Sequence, residues 1–162
     1  MMKTEEIESL RRFYEDHRRE LYTYALSFTR CRDSAEDVIH QVFARLLHSR
    51  RSPRELRPYV YRCVRNSAID HLRSGSREVS GDSIFELSDG GQSSNGVRRK
   101  REIEQLLESL SEDERETIVL KIFNALTFKE IATVRKVSIN TAASWYRRGI
   151  EKMRVIAEED KG

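Results

Sequence analysis

The sequence predicts an all-α protein made of two small helical domains joined by a flexible linker, the C-terminal one containing a helix-turn-helix. Three observations lead there. Apolar residues recur at helical intervals on both sides of a long interruption. That interruption, residues 74–101, holds five of the seven glycines and seven serines, with only a brief apolar cluster at Ile84, Phe85 and Leu87. A chain of 162 residues with 38% hydrophobic and 35% charged positions supports only thin cores, which suits two small units better than one large one. The expected boundaries are residues 1–73, a linker over 74–101, and residues 102–162.

Taken in order, Ile7, Leu10, Phe13, Tyr14, Leu21, Tyr24, Ala25 and Phe28 fit one long helix over residues 4–30, or two in series. Cys31, Arg32 and Asp33 break the pattern, and Ser34 with Asp37 three positions on predicts a capped helix start at about residue 34. Its inward stripe is Ala35, Val38, Ile39, Val42, Phe43, Leu46 and Leu47, leaving Glu36, Asp37, His40, Gln41 and Ala44 outside. Residues 48–57, HSRRSPRELR, read as a basic loop in which Ser52, Pro53 and Glu55 fit the start of a short helical turn. Pro58 disfavours helix at Arg57 and is itself suited to begin one, so the third helix is expected over residues 58–73.

This third helix carries two contrasting faces. At 100° per residue, Val60, Tyr61, Val64, Ala68 and Leu72 fall on one half, and Tyr59, Arg62, Asn66, Asp70 and Arg73 on the other. Aromatic rings, guanidinium forks and amide edges suit nucleic acid bases and phosphates. A solvated face with an Asp70–Arg73 ion pair accounts for the helix alone equally well.

Beyond the linker, which would average roughly 30 Å end to end as a coil, Ile103, Leu106, Leu107 and Leu110 give one helical face. Ser111 with Glu114 then opens a helix through Ile118, Val119, Ile122 and Phe123, which Asn124 and Ala125 break. Thr127 with Glu130 opens a short helix through Phe128, Ile131, Ala132 and Val134. A turn at residues 135–137 leads to Ser138, the N-cap of a last helix with Ala142, Tyr146, Gly149, Ile150 and Met153 inward. Short helix, tight turn, longer helix is the helix-turn-helix pattern, whose second helix enters the major groove. Its outward side carries Asn140, Ser144, Arg147, Arg148 and Glu151, with the two arginines either reading guanine or anchoring phosphates. Trp145 lies at the border of the apolar side, where partial burial is expected.

Charge is segregated although the net is only +3. Residues 50–73 hold seven Lys and Arg against Glu55 and Asp70, and residues 117–154 hold eight against Glu130 and Glu151. Each is a footprint for a polyanion. Residues 102–116 hold seven acids with Arg115 as the one base, which points that stretch at something other than phosphate. Cys31 and Cys63 form no disulfide or zinc spacing and read as small apolar residues. The N-terminal MMKTEEIESL is unlike a secretory signal, and no run reaches the 18 apolar residues of a membrane span, so a cytoplasmic protein with no membrane insertion of its own is expected. Asp33, Asp37 and His40 have ligand-like spacing, which admits a metal-dependent nuclease, but no second acidic cluster completes a site. No catalytic residue, cofactor or metal is expected, and the protein is read as a non-enzyme.

With these pieces placed, the chain resembles a bacterial RNA polymerase sigma factor of the small extracytoplasmic-function group. SAEDVIHQVFARLL, residues 34–47, resembles the family's polymerase-clamp-binding helix, and RPYVYRCVRNSAIDHLR, residues 57–73, its promoter-melting helix. LSEDERETIVLKIF, LTFKEIA and the NT of VSINTAASWYRRGIEKMR resemble the domain that reads the minus-thirty-five element. The resemblance implies sigma region 2 at residues 1–73 and sigma region 4 at 102–162, with core RNA polymerase, promoter DNA and an anti-sigma factor as partners. It implies that Glu36, Asp37, His40 and Gln41 meet the polymerase clamp. It implies that Arg50, Arg51, Arg54, Arg57, Tyr59, Arg62, Asn66, Asp70 and Arg73 hold the melted nontemplate strand of the minus-ten element. It implies that Asn140, Thr141, Ser144, Arg147, Arg148 and Lys152 bind the minus-thirty-five duplex, while the acidic start of the second domain faces the polymerase flap. The family often has glycine where Lys136 stands and basic residues at Ala143 and Trp145. The alternative is a helix-turn-helix regulator binding duplex DNA alone; it explains the second domain but neither the Tyr59 face nor the Glu36 face.

Overall fold

The computed structural model describes residues 3–51, 53–75, 81, 82, 84 and 94–162. Among these, seven α-helices and one π-helical turn account for the regular structure: α1 (Thr4–Thr29), α2 (Arg32–His48), α3 (Leu56–Arg73), α4 (Ser94–Glu108), α5 (Glu112–Ile118), the π turn (Val119–Phe123), α6 (Phe128–Arg135) and α7 (Ile139–Asp160). The all-α class and the helix-turn-helix of α6 and α7 follow the sequence prediction.

The first three helices pack on one another through Leu21, Tyr24, Val38, Ile39, Val60 and Val64, all buried. α1 is a single helix, closed by Arg30 in the left-handed conformation (φ 53°) with its N–H donating to Leu26 O. α2 begins at Arg32, two positions before the predicted start, and Ser34 is a buried residue of its first turn instead of its cap. The cap comes from the linker, because Asp82 Oδ2 accepts from the Arg32 N–H at 3.0 Å. α3 likewise begins two positions early, at Leu56, and Pro58 sits in its first turn, where the missing N–H has no intrahelical acceptor to satisfy.

Four residues assigned to inward stripes are exposed: Ile7, Leu47, Leu72 and Ile122. Ile7, Leu47 and Leu72 lie near helix ends, where the stripe runs past the neighbours that cover it. Ile122 is turned out by the π turn, whose wider winding shifts the helical phase and buries Leu120 instead.

The three capping sites of the second half form as predicted. Ser111 with Glu114 and Thr127 with Glu130 make reciprocal capping boxes, and the Ser138 hydroxyl accepts from Thr141 N. α4 begins at Ser94, so the helical part starts eight positions ahead of residue 102. Ile84 of the predicted linker is buried with Leu107, Leu110 and Ile118, while Phe85, Leu87 and the loop residue Ser52 lie outside the described residues. Gly149 lets α7 cross close to α5: a Cβ there would stand 2.5 Å from Ile118 Cδ1, so the end of that side chain would have to move.

The two halves share a core. Val119, Leu120, Leu126, Ile131 and Val134 of the second half join Tyr24, Tyr61 and the other buried residues of the first in one cluster. α6 lies along α3 and the π turn against α1. Asn124, which breaks the helix as predicted, is buried between them, donating to Glu20 O at 2.9 Å and to the Tyr61 hydroxyl at 3.4 Å.

Candidate nucleic-acid interface

The outward side of α3 and the basic loop before it form a groove of about 510 Å³. Arg51, Pro53, Arg54 and Glu55 of the loop line it together with Pro58, Tyr59 and Arg62 of α3. Tyr59 also lines a second depression of about 260 Å³, with Cys63, Asn66 and Asp70. Burial, followed by the neighbouring Cys63, pushes the Tyr59 phenol above its usual value, and burial also raises the Cys63 thiol. At neutral pH the wall is therefore an uncharged ring beside a protonated thiol, flanked by guanidinium groups. This combination can stack a base and hold its phosphates.

Arg50, Arg51, Arg54, Asn66, Asp70 and Arg73 are exposed, and Tyr59 and Arg62 half-buried. Arg57 is placed differently: its Nη2 donates to Asn124 O at 2.6 Å and its Nη1 lies 3.8 Å from Glu130 Oε1, so it faces the second half. Sequence reasoning missed Thr133, which lines the groove from α6, and Cys63 beside Tyr59. No local signal in residues 48–73 could have found Thr133, because it arrives through the packing of α6 on α3.

On α2, Glu36, Asp37, His40 and Gln41 are all exposed on one face, as the stripe requires. No metal-holding group of three or more His, Cys, Asp or Glu occurs among the described residues.

In the helix-turn-helix, Lys136 turns the chain in the left-handed region (φ 55°), which costs a non-glycine residue roughly 1 to 2 kcal/mol. Asn140, Arg147 and Arg148 are exposed at the start and middle of α7, with Thr141 and Ser144 half-buried. The Arg147 guanidinium reaches Ser144 Oγ at 3.4 Å. Lys152 is anchored away from them, its Nζ donating to the buried Glu114 at 2.7 Å. Trp145 is half-buried as predicted, its ring covered by the Arg135 guanidinium at 4.8 Å.

The acidic run does not form one outward surface. Glu114 and Glu116 are buried, and Asp113 pairs with Arg135. Lys152 draws the Glu114 carboxyl below its usual value against the opposing effect of burial, with help from the Ser111 N–H.

Residues 13–78, which carry the groove and the α2 face, match the family Sigma-70 region 2, and residues 100–153, which carry the helix-turn-helix, match Sigma-70, region 4. The chain belongs to the sigma-70 family, in its extracytoplasmic-function group. This sigma factor is 25% identical to RNA polymerase sigma factor SigV of Bacillus subtilis over 150 residues, covering 90% of this chain and 89% of that one. It is 26% identical to the ECF RNA polymerase sigma factor SigM of the same organism over 132 residues, covering 77% and 80%. Its fold is that of CnrH, solved in complex with the cytosolic domain of CnrY (TM-score 0.70, 19% identity, 94% and 90% covered). It is also that of the sigma factor RpoE solved with the anti-sigma factor NepR from Bartonella quintana (TM-score 0.66, 19% identity, 90% and 96% covered). As a sigma factor, the chain directs core RNA polymerase to promoters and assists strand opening at initiation.

Proposed function

We propose that α3 and its basic loop capture the melted nontemplate strand of the minus-ten element. The observation that carries this is the groove in which the Tyr59 ring, Pro58 and the Arg51, Arg54 and Arg62 side chains meet. Extruding a base from the duplex costs a few kcal/mol, and stacking returns about 1 to 3 kcal/mol per base, so several contacts together with polymerase are needed to hold the strand open. Asn66, Asp70 and Arg73 extend the same face along the strand, and Arg50 lies at its loop end.

The exposed set Glu36, Asp37, His40 and Gln41 meets the polymerase clamp. Asn140, Thr141, Ser144, Arg147 and Arg148 meet the minus-thirty-five duplex at the N-terminal half of α7. Lys152 joins them at the phosphate backbone on giving up Glu114. An anti-sigma factor is a further partner, supported by the complexes in which two proteins of this fold were solved. The protein works as a non-enzymatic initiation factor in the cytoplasm with core polymerase; no helix among the described residues is long and apolar enough to cross a membrane.

Transcription reconstituted with sigma-free core polymerase on cognate genomic fragments tests the reading, and promoter-dependent transcripts are expected. Arg62→Ala and Asn66→Ala should reduce open-complex formation, followed by permanganate reactivity, by about tenfold, equivalent to one lost contact of about 1.4 kcal/mol. Recruitment to duplex promoter should change much less. Equal loss at both steps would remove the strand-capture role.

A further inference from the structure

The leading end of α7 carries no charged side chain. Residues 137–146, VSINTAASWY, hold no Lys, Arg, Asp or Glu, so the first cations of the helix that enters the groove are Arg147 and Arg148. From Ile139 to Arg147 the helix rises about 12 Å, more than the roughly 8.5 Å depth of the major groove. A helix tip resting on the base edges therefore leaves both guanidinium groups at the level of the phosphates. What reaches the bases is uncharged. Ile139, the first residue of α7, is 50% exposed and belongs to neither apolar cluster. Ala143, one turn on, continues its flank. The Asn140 side chain is exposed, and no described residue bonds to it. The hydroxyls nearby are already engaged: Ser138 and Thr141 hold each other at 2.9 Å in the cap, and Ser144 Oγ accepts from Arg147 at 3.4 Å.

We propose that α7 reads an A·T step within the minus-thirty-five element: Asn140 bonds adenine N6 and N7, Ile139 with Ala143 packs on the C5 methyl of a thymine at the neighbouring pair, and Arg147 and Arg148 anchor phosphates. This rests on the reading of α7 as the minus-thirty-five helix. In the major groove guanine offers two acceptors, N7 and O6, and is matched best by the paired donors of Arg or Lys, which the helix tip lacks. Adenine offers one acceptor beside one donor, which a single amide matches with its NH2 and its carbonyl. Thymine alone presents a methyl group, and Ile139 covers it with gain, since apolar surface of both partners leaves water. A cytosine in its place would turn an N4–H donor toward Ile139, which has no acceptor to give it. The two residues at the start of α7 thus select for one base and against another.

The test uses the full chain bound to core polymerase. A cognate promoter fragment randomised over its minus-thirty-five element is mixed with this holoenzyme, and the duplexes retained on nitrocellulose are sequenced. Enrichment of an adenine with an adjoining thymine is expected. Replacing that thymine by uracil, which deletes the methyl group and nothing else, should weaken retention about fourfold, the worth of one buried methyl. Ile139→Ala should weaken it by a similar factor and make thymine and uracil equivalent, a loss of coupling that a purely structural role for Ile139 would not produce. Asn140→Ala should reduce discrimination against guanine at the adenine position by about fivefold or more. Enrichment of G·C pairs alone, or a uracil duplex held by the unsubstituted protein as tightly as the thymine one, would overturn the proposal. Arg148→Ala separates it from the reading beneath it. That variant should bind every sequence more weakly to the same degree and lower the slope of log affinity against log salt by about 0.9. If no base is enriched and Arg148→Ala changes nothing, α7 is not the minus-thirty-five helix. If an element is enriched and Arg148 counts while thymine and uracil bind alike, the base assignment alone fails.

Discussion

At the scale of single residues, Glu114 shows how a side chain serves as both cap and anchor. It closes the capping box with Ser111 and, while almost wholly buried, accepts from Lys152 across the α5–α7 contact. Because the Lys152 ammonium lowers its pKa from the ordinary 4.5, the linkage is of the depressed-carboxylate kind. The stabilisation is complete above pH 4.5 and is lost as pH falls below it through the folded-state value. Lys152→Met should therefore cost about 1 kcal/mol at pH 7, a figure kept small because the lysine is half in water. The difference from the unsubstituted protein should shrink below pH 4.5. Urea midpoints measured between pH 3 and pH 8 check it; a difference independent of pH would show that Lys152 acts through packing of its stem.

At the scale of elements, most helices were legible because their signals are local. The capping boxes at Ser111 and Thr127 and the cap at Ser138 each lie within three residues of the backbone they satisfy, and each formed where predicted. The start of α2 was not legible, because its cap is Asp82, 50 positions away, and Ser34, with the right spacing to Asp37, is a buried residue inside the first turn. Ile122 was misplaced for a related reason: a 3.6-residue period does not anticipate a π turn. Asp82→Ala should cost about 1 kcal/mol, the usual worth of an N-cap. Its effect should be concentrated in faster hydrogen exchange in the first turn of α2. Protection unchanged there would mean that backbone groups and water satisfy the terminus without the linker.

At the scale of the whole molecule, composition suggested thin cores in two units, and it did not say that the halves would share one core. The face of the second domain that meets α1 and α3 is apolar at Val119, which the helical period assigns to an interior without saying whose, and at Leu120 and Leu126, which it leaves unassigned. The same ambiguity touches the candidate site. Tyr59, Arg62 and Asn66 could be read from the sequence as an outward face, whereas the engagement of Arg57 and the approach of Thr133 depend on how the halves meet. Asn124 is the polar pin of that meeting: its amide donates to Glu20 O and Tyr61, and its backbone carbonyl accepts from Arg57. A shared core predicts that the protein unfolds in one calorimetric transition, with van't Hoff and calorimetric enthalpies equal. Asn124→Ala removes the amide and leaves Glu20 O without that donor in a largely dry junction, a cost of about 1 to 3 kcal/mol borne by the interface and not by either domain's own helices. The transition should then divide into two, or its van't Hoff enthalpy should fall below the calorimetric value, as the halves begin to melt separately. A single transition merely shifted to lower temperature would mean that Val119, Leu120 and Leu126 hold the halves together by apolar contact alone. Two transitions in the unsubstituted protein would mean that the halves do not melt as one core in solution.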